Sequence, residues 1–145
     1  MKNTAVLFLS FFLLMFLSAA TGWAKEQWAE VVRVLDIHNQ DGSTGTQIMF
    51  DSHANGRDGR PDMIMAITNS DRVLFSILLK EYLPVGAVII YDDEYVYSGR
   101  TSSLRTAGLL SINGEDILDL FPGYEDMFVC AARKRAAARQ GQRSR

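Results

Sequence analysis

Apolar and polar positions divide the chain into short blocks, and the densest blocks lie between Met63 and Tyr97. Residues 63–67 (MIMAI) form an apolar run too short for a helix. Residues 87–91 (AVIIY) form a second run, β-branched, aromatic and bounded by turn residues, so both predict buried strands. The segment between them has a different period. Leu74, Leu78, Tyr82, Phe75 and Leu79 share one broad face at about 100° per residue, with Val73 and Ile77 on a flank. Ser76 and Lys80 are the only polar strip, which predicts a helix over 70–82 covered on more than one side. Thr68, Asn69, Ser70 and Asp71 offer capping oxygens at its start. Pro84 ends it by pushing Leu83 out of the α region. On this pattern Leu74, Leu78 and Tyr82 belong to the core, and Leu78→Asp would abolish cooperative unfolding.

The flanking segments read as further strands. Residues 29–37 and 46–50 carry strand-forming side chains on either side of HNQDGSTG (38–45), a turn tract centred on Asp41-Gly42, and together predict a hairpin. Residues 95–98 predict a strand paired with 87–91 across the turn Asp92-Asp93-Glu94. Residues 99–106 read as a polar connection and 107–112 as a strand closed by Asn113-Gly114. A short amphipathic helix over 115–121 should stop at Pro122-Gly123. The order β-β-β-α-β-β over 29–112 resembles that of an OB-fold, a small β-barrel with its helix between strands three and four. An α+β sandwich, with the 70–82 helix packed on one antiparallel sheet, satisfies the same pattern.

The ends of the chain behave differently. Met1-Lys2 and the apolar stretch from Val6 to Leu17 precede Ser18-Ala19-Ala20 and Gly22-Trp23-Ala24, both with small residues at the cleavage positions, the pattern of an export signal over 1–24. Its apolar centre is shorter than the roughly 20 residues of a membrane span. The remaining residues suit one globular domain, 25–130, in which eight basic side chains face seventeen acidic ones, net −9. Residues 131–145 carry six basic side chains and no acidic one. Such an alanine- and arginine-rich tail is expected to be disordered. Through Arg133, Lys134, Arg135 and Arg139 it could meet an anionic surface or fold back on the acidic body. Cys130 is the single cysteine. It argues against thiol–disulfide catalysis and is expected to be a small buried hydrophobe.

Candidate chemistry is sparse. Residues 51–62 (DSHANGRDGRPD) resemble a calcium loop, with Asp51 at position 1, Asn55 at 5, Gly56 at 6 and Asp62 at 12. His53 stands at position 3, and Asp replaces the longer Glu at position 12. The ligand set this implies is Asp51, Asn55, Asp58 and Asp62, with Ca²⁺ as the cofactor. His38 and His53 have no metal-ligand spacing. No nucleophile elbow or phosphate-cradling loop occurs, so no enzymatic activity is expected. Tyr91, Tyr95 and Tyr97 could form a stacking face for an oligosaccharide or peptide. An acidic body disfavours nucleic acid. The expected function is therefore a small exported, non-enzymatic binding or accessory domain, periplasmic or secreted, acting on a protein or glycan. An exported calcium-binding domain is the alternative.

Overall fold

The computed structural model describes residues 26–52, 59–68, 73–97 and 102–143. The expected export signal and the proposed caps Asn69, Ser70 and Asp71 lie outside them. Among the described residues no helix is long and apolar enough to cross a membrane.

The fold is mixed α+β. Strands β1 (Glu26–His38), β2 (Thr44–Asp51) and β3 (Met63–Thr68) precede helix α1 (Val73–Tyr82). Then come β4 (Val88–Asp92), β5 (Val96–Tyr97), β6 (Ser102–Leu104), β7 (Leu109–Ile112) and β8 (Glu115–Asp116). Helices α2 (Ile117–Leu120) and α3 (Val129–Arg143) complete the chain. The described strands form one sheet in the order β5-β6-β3-β2-β1-β4-β7-β8. All pairs are antiparallel except β3 with β6.

β1 organises this sheet because it serves two neighbours. Its first residues pair with β4, Trp28 opposite Ile90, and the remainder pairs with β2, Val34 opposite Ile48. Between Val31 and Arg33 the register slips by one residue. Such a bulge reverses which side chains face inward and bends the strand. Ala29 and Val31 are buried before it, and Val34 packs on the core after it. The expected hairpin of β1 and β2 is present, closed by Asp41, whose carboxylate accepts the Ser43 N–H at 2.9 Å.

Other expected pairings are replaced. β4 pairs with β1 and β7 rather than with β5. The acidic triplet does not make a hairpin turn: Asp92 caps a short 3-10 turn, Asp93–Tyr95. The polar connection contains strand β6, which runs parallel to β3. A second 3-10 turn, Thr106–Gly108, separates β6 from β7. The sheet is open, with β5 and β8 at its edges, so the strands do not close into the expected barrel. Gly108 holds the turns together, since a Cβ there would lie 2.7 Å from Tyr95 Cβ. Asn113 and Gly114, at φ 51° and 84°, make the β7–β8 turn with the left-handed pair that twisted hairpins prefer.

Helix α1 corrects the sequence reading most. Phe75, Leu79 and Leu83, at i, i+4 and i+8, are buried together with Ser76. Leu74 is 70% exposed, and Leu78 and Tyr82 are also exposed. Leu74 therefore points to solvent rather than into a second layer, Leu78 and Tyr82 are only partly covered, Tyr82 with its ring edge-on to Phe121 at 5.1 Å, and the full burial expected of Leu74, Leu78 and Tyr82 does not hold. The core is completed by Phe121, at the end of the expected 115–121 helix, and by Tyr124 and Phe128 in the segment beyond it, which the apolar periodicity leaves unassigned. The Phe75 ring lies 5.8 Å from Phe121, 5.1 Å from Tyr124 and 5.6 Å from Phe128.

The basic tail is also ordered differently from the expected disorder. α3 runs through Arg143, and its first turn buries Cys130 and Ala131. That contact nucleates a segment whose alanines already favour helix.

Leu79 is fully buried. Leu79→Asp should abolish the cooperative urea transition by burying an unpaired charge. Leu74→Asp should shift it by no more than about 0.5 kcal/mol. Equal losses in both variants would contradict the assigned orientation of α1.

Candidate functional site

Three surfaces carry the side chains that the sequence singled out. The first lies where β2 ends and β3 begins. Asp51 is 1% exposed, and one of its carboxylate oxygens, Oδ2, accepts the Gly59 N–H. The other, Oδ1, is buried with no hydrogen-bond partner among the described residues. Asp62 Oδ1 accepts the buried Ser52 N–H at 2.8 Å. The Asp62 backbone joins the loop to two strands, its N–H donating to Phe50 at 2.9 Å and its carbonyl accepting from Ser102 at 2.9 Å.

Tyr91 is buried against the same corner. Burial pushes its phenol up, the charges of Asp62 and Asp93 push it further, and a hydrogen bond with Ser52 opposes them. Of the expected calcium ligands, Asp51 and Asp62 thus meet at one corner, while Asn55 and Asp58 lie outside the described residues. No cluster of three or more His, Cys, Asp or Glu able to hold a metal occurs among the described residues. What the corner does chemically is fix the ends of a loop. Two carboxylates accept N–H groups at the two ends of the loop, that of buried Ser52 and that of exposed Gly59.

The second surface lies under α3. Tyr95 is half-buried beneath the helix, and its hydroxyl accepts from Arg133 Nη1 at 3.5 Å. Hydrogen bonding to Cys130 raises the Tyr95 phenol, and burial adds to the shift. Burial also raises the Cys130 thiol, aided by the nearby Asp92 charge. A buried thiol held protonated is a poor nucleophile. Tyr91 and Tyr95 are therefore each packed beneath a different element and do not present a shared open stacking face. The Tyr97 side chain lies outside the described residues.

The expected anionic contacts are partly used within the fold. Lys134 bonds Glu26 at the start of β1. Arg135 spans Asp116 at 2.9 Å and Asp119 at 2.7 Å, and these carboxylates raise its guanidinium further above its ordinary range. These pairs are largely solvent-exposed, so water screens them and each contributes little to stability. They clamp α3 across a cavity of about 330 Å³ floored by Ile90 and Leu110. Arg139 and Arg143 continue the Arg135 stripe toward solvent, at successive i+4 positions.

The third surface was not singled out as a site in the sequence. Leu74, Ile77, Leu78 and Tyr82 line the outer side of α1, and Val85 follows just beyond Pro84. The Lys80 ammonium is drawn 2.5 Å from Asp36 Oδ1 in a solvent-exposed pair with β1. The signal for the stripe was present as excess hydrophobicity around α1. It was assigned to a second packing layer because periodicity does not distinguish a covered face from a bare one.

No family model, curated protein or solved structure matches the chain.

The raised Tyr91 phenol sets a pH dependence. In the unfolded chain a tyrosine ionises near pH 10, before the native Tyr91 does. Its contribution is full below that value and is lost as pH rises through the native one. Tyr91→Phe should therefore flatten the fall in stability above about pH 10 in urea titrations, leaving the neutral-pH curve shape unchanged.

Proposed function

We propose that this protein is a small exported binding or accessory domain, periplasmic or secreted, that works by surface contact with a protein and carries out no chemistry of its own. The observation that carries this reading is the bare apolar side of α1. Leu74 is 70%, Val85 65% and Ile77 49% exposed, on one helix and its immediate continuation. Scattered exposed hydrophobes need no explanation, but a contiguous stripe on a rigid helix is a feature of interaction surfaces. A protein partner is favoured over a glycan because Tyr91 and Tyr95 are packed inside. The helix between the third and fourth strands, and a first strand shared by two neighbours, support reading the architecture as an opened relative of the OB plan. The N-terminal pattern of 1–24 supports export.

The test is retention of proteins from an exported fraction on immobilised wild type and on the Leu74→Glu variant. The reading expects a discrete partner kept by the wild type and lost by the variant. Identical retention by both would remove the α1 face from function.

A second reading, a calcium-binding exported domain, is favoured by one observation, the buried and unpartnered Asp51 Oδ1. Carboxylate oxygens are the hard donors that Ca²⁺ takes. Asp51 and Asp62 would supply them, with Asn55 and Asp58 as the remaining members of the set. Calorimetric titration should then give heat with Ca²⁺ that Asp51→Asn abolishes, together with a calcium-dependent rise in melting temperature. A flat titration would dispose of this reading.

A further inference from the structure

We infer that the partner of the α1 face is a second copy of this chain, docked as an antiparallel helix pair about a two-fold axis near Leu78. The inference rests on the reading above that this face binds protein. The stripe is built for self-pairing. At about 100° per residue, Leu74, Leu78 and Tyr82 form one row beside that of Phe75, Leu79 and Leu83; Leu74 is the most exposed of the three, and Tyr82 is half-exposed with its ring edge-on to Phe121 at 5.1 Å. In a two-fold arrangement the same patch serves both partners, so each residue must tolerate its symmetry mate. An antiparallel crossing at Leu78 sets Leu74 of one copy against Tyr82 of the other and Leu78 against itself. Rows spaced at i±4 are the ridges that pack into one another in helix pairs.

Charge permits the approach. Among the described residues of α1 the charged side chains are Lys80, which is held by Asp36, and Glu81, which lies exposed on the outer side between Leu74 and Ile77. The antiparallel crossing keeps the two Glu81 side chains roughly 9 Å apart along the axis, at 1.5 Å rise per residue. The whole chain carries a formal net charge of only −2, so two copies are not driven apart by net repulsion.

Area fixes the strength. The exposed parts of Leu74, Ile77, Leu78, Tyr82 and Val85 amount to about 400–500 Å² per copy, the scale of a functional patch. Two copies would bury about 1,000 Å² with flanking residues, the lower edge of specific interfaces. The dimer is accordingly weak and reversible, forming at micromolar concentrations or above.

Sedimentation equilibrium of the purified protein from about 1 to about 500 µM tests this. The wild type should show a concentration-dependent monomer–dimer equilibrium. Leu74→Glu and Leu78→Glu should each raise the dissociation constant at least about 100-fold, because each places like charges in the contact. Leu74 is exposed, so its variant must keep the wild-type melting curve, which separates loss of contact from loss of fold. As a second measurement, Leu78→Cys in a Cys130→Ala background should form an oxidised dimer, whereas Val85→Cys should not. A wild type that stays monomeric overturns the inference, as does a dimer that persists in both glutamate variants. If that monomer still retains a different protein through Leu74, the second-copy assignment falls while the binding reading of α1 stands.

Discussion

The Phe75 ring is the contact on which the described fold depends. It projects from the buried side of α1 into Phe121, Tyr124 and Phe128, with Phe121 and Phe128 themselves 5.4 Å apart. Edge-on and tilted rings at these separations gain from their quadrupoles as well as from area. One side chain thereby joins the helix between β3 and β4 to the segment leading into α3. α1 also offers the body Ser76, Leu79 and Leu83, and Tyr82 meets Phe121 edge-on at 5.1 Å, but Phe75 is the one side chain of α1 that touches all three rings of the later segment.

This contact also explains why α1 has a bare side. A helix anchored through one narrow row must leave the opposite row uncovered unless another layer lies over it. Among the described residues, Phe121 reaches Tyr82 at the end of that row and leaves Leu74 bare. The sheet is likewise open, with β5 and β8 at its edges. A chain without disulfides thus retains a compact core of Ile48, Phe50, Met63, Met65 and Ile89 and still presents an apolar stripe.

Polar groups at the two ends of the molecule hold chain segments rather than expose chemistry. Asp51 and Asp62 tie down the loop after β2, and Arg135 and Lys134 hold α3 to the acidic body. The same residues drew attention in the sequence for their charge. In three dimensions most of their hydrogen-bonding capacity is already used, with Asp51 Oδ1 the exception. Asp93, exposed in the acidic triplet, contributes its field to the buried Tyr91.

The sequence by itself determined the local elements: strands at the β-branched runs, a helix stopped before Pro84, turns at Asp41-Gly42 and Asn113-Gly114, and a cysteine suited to burial. These follow from backbone preferences and from periodicities of two and 3.6, which are properties of neighbouring residues. Tertiary structure alone decided which strands pair, that β6 runs beside β3, that the barrel stays open, and that Phe121 and Phe128 cover α1 in place of a second layer. It also decided that an alanine–arginine tail becomes a helix, once Cys130 and Ala131 found a surface to bury against. Each of these depends on contacts between residues far apart in the chain. Periodicity can name the apolar face of a helix, but only packing chooses which part of that face meets the core and which part is left for a partner.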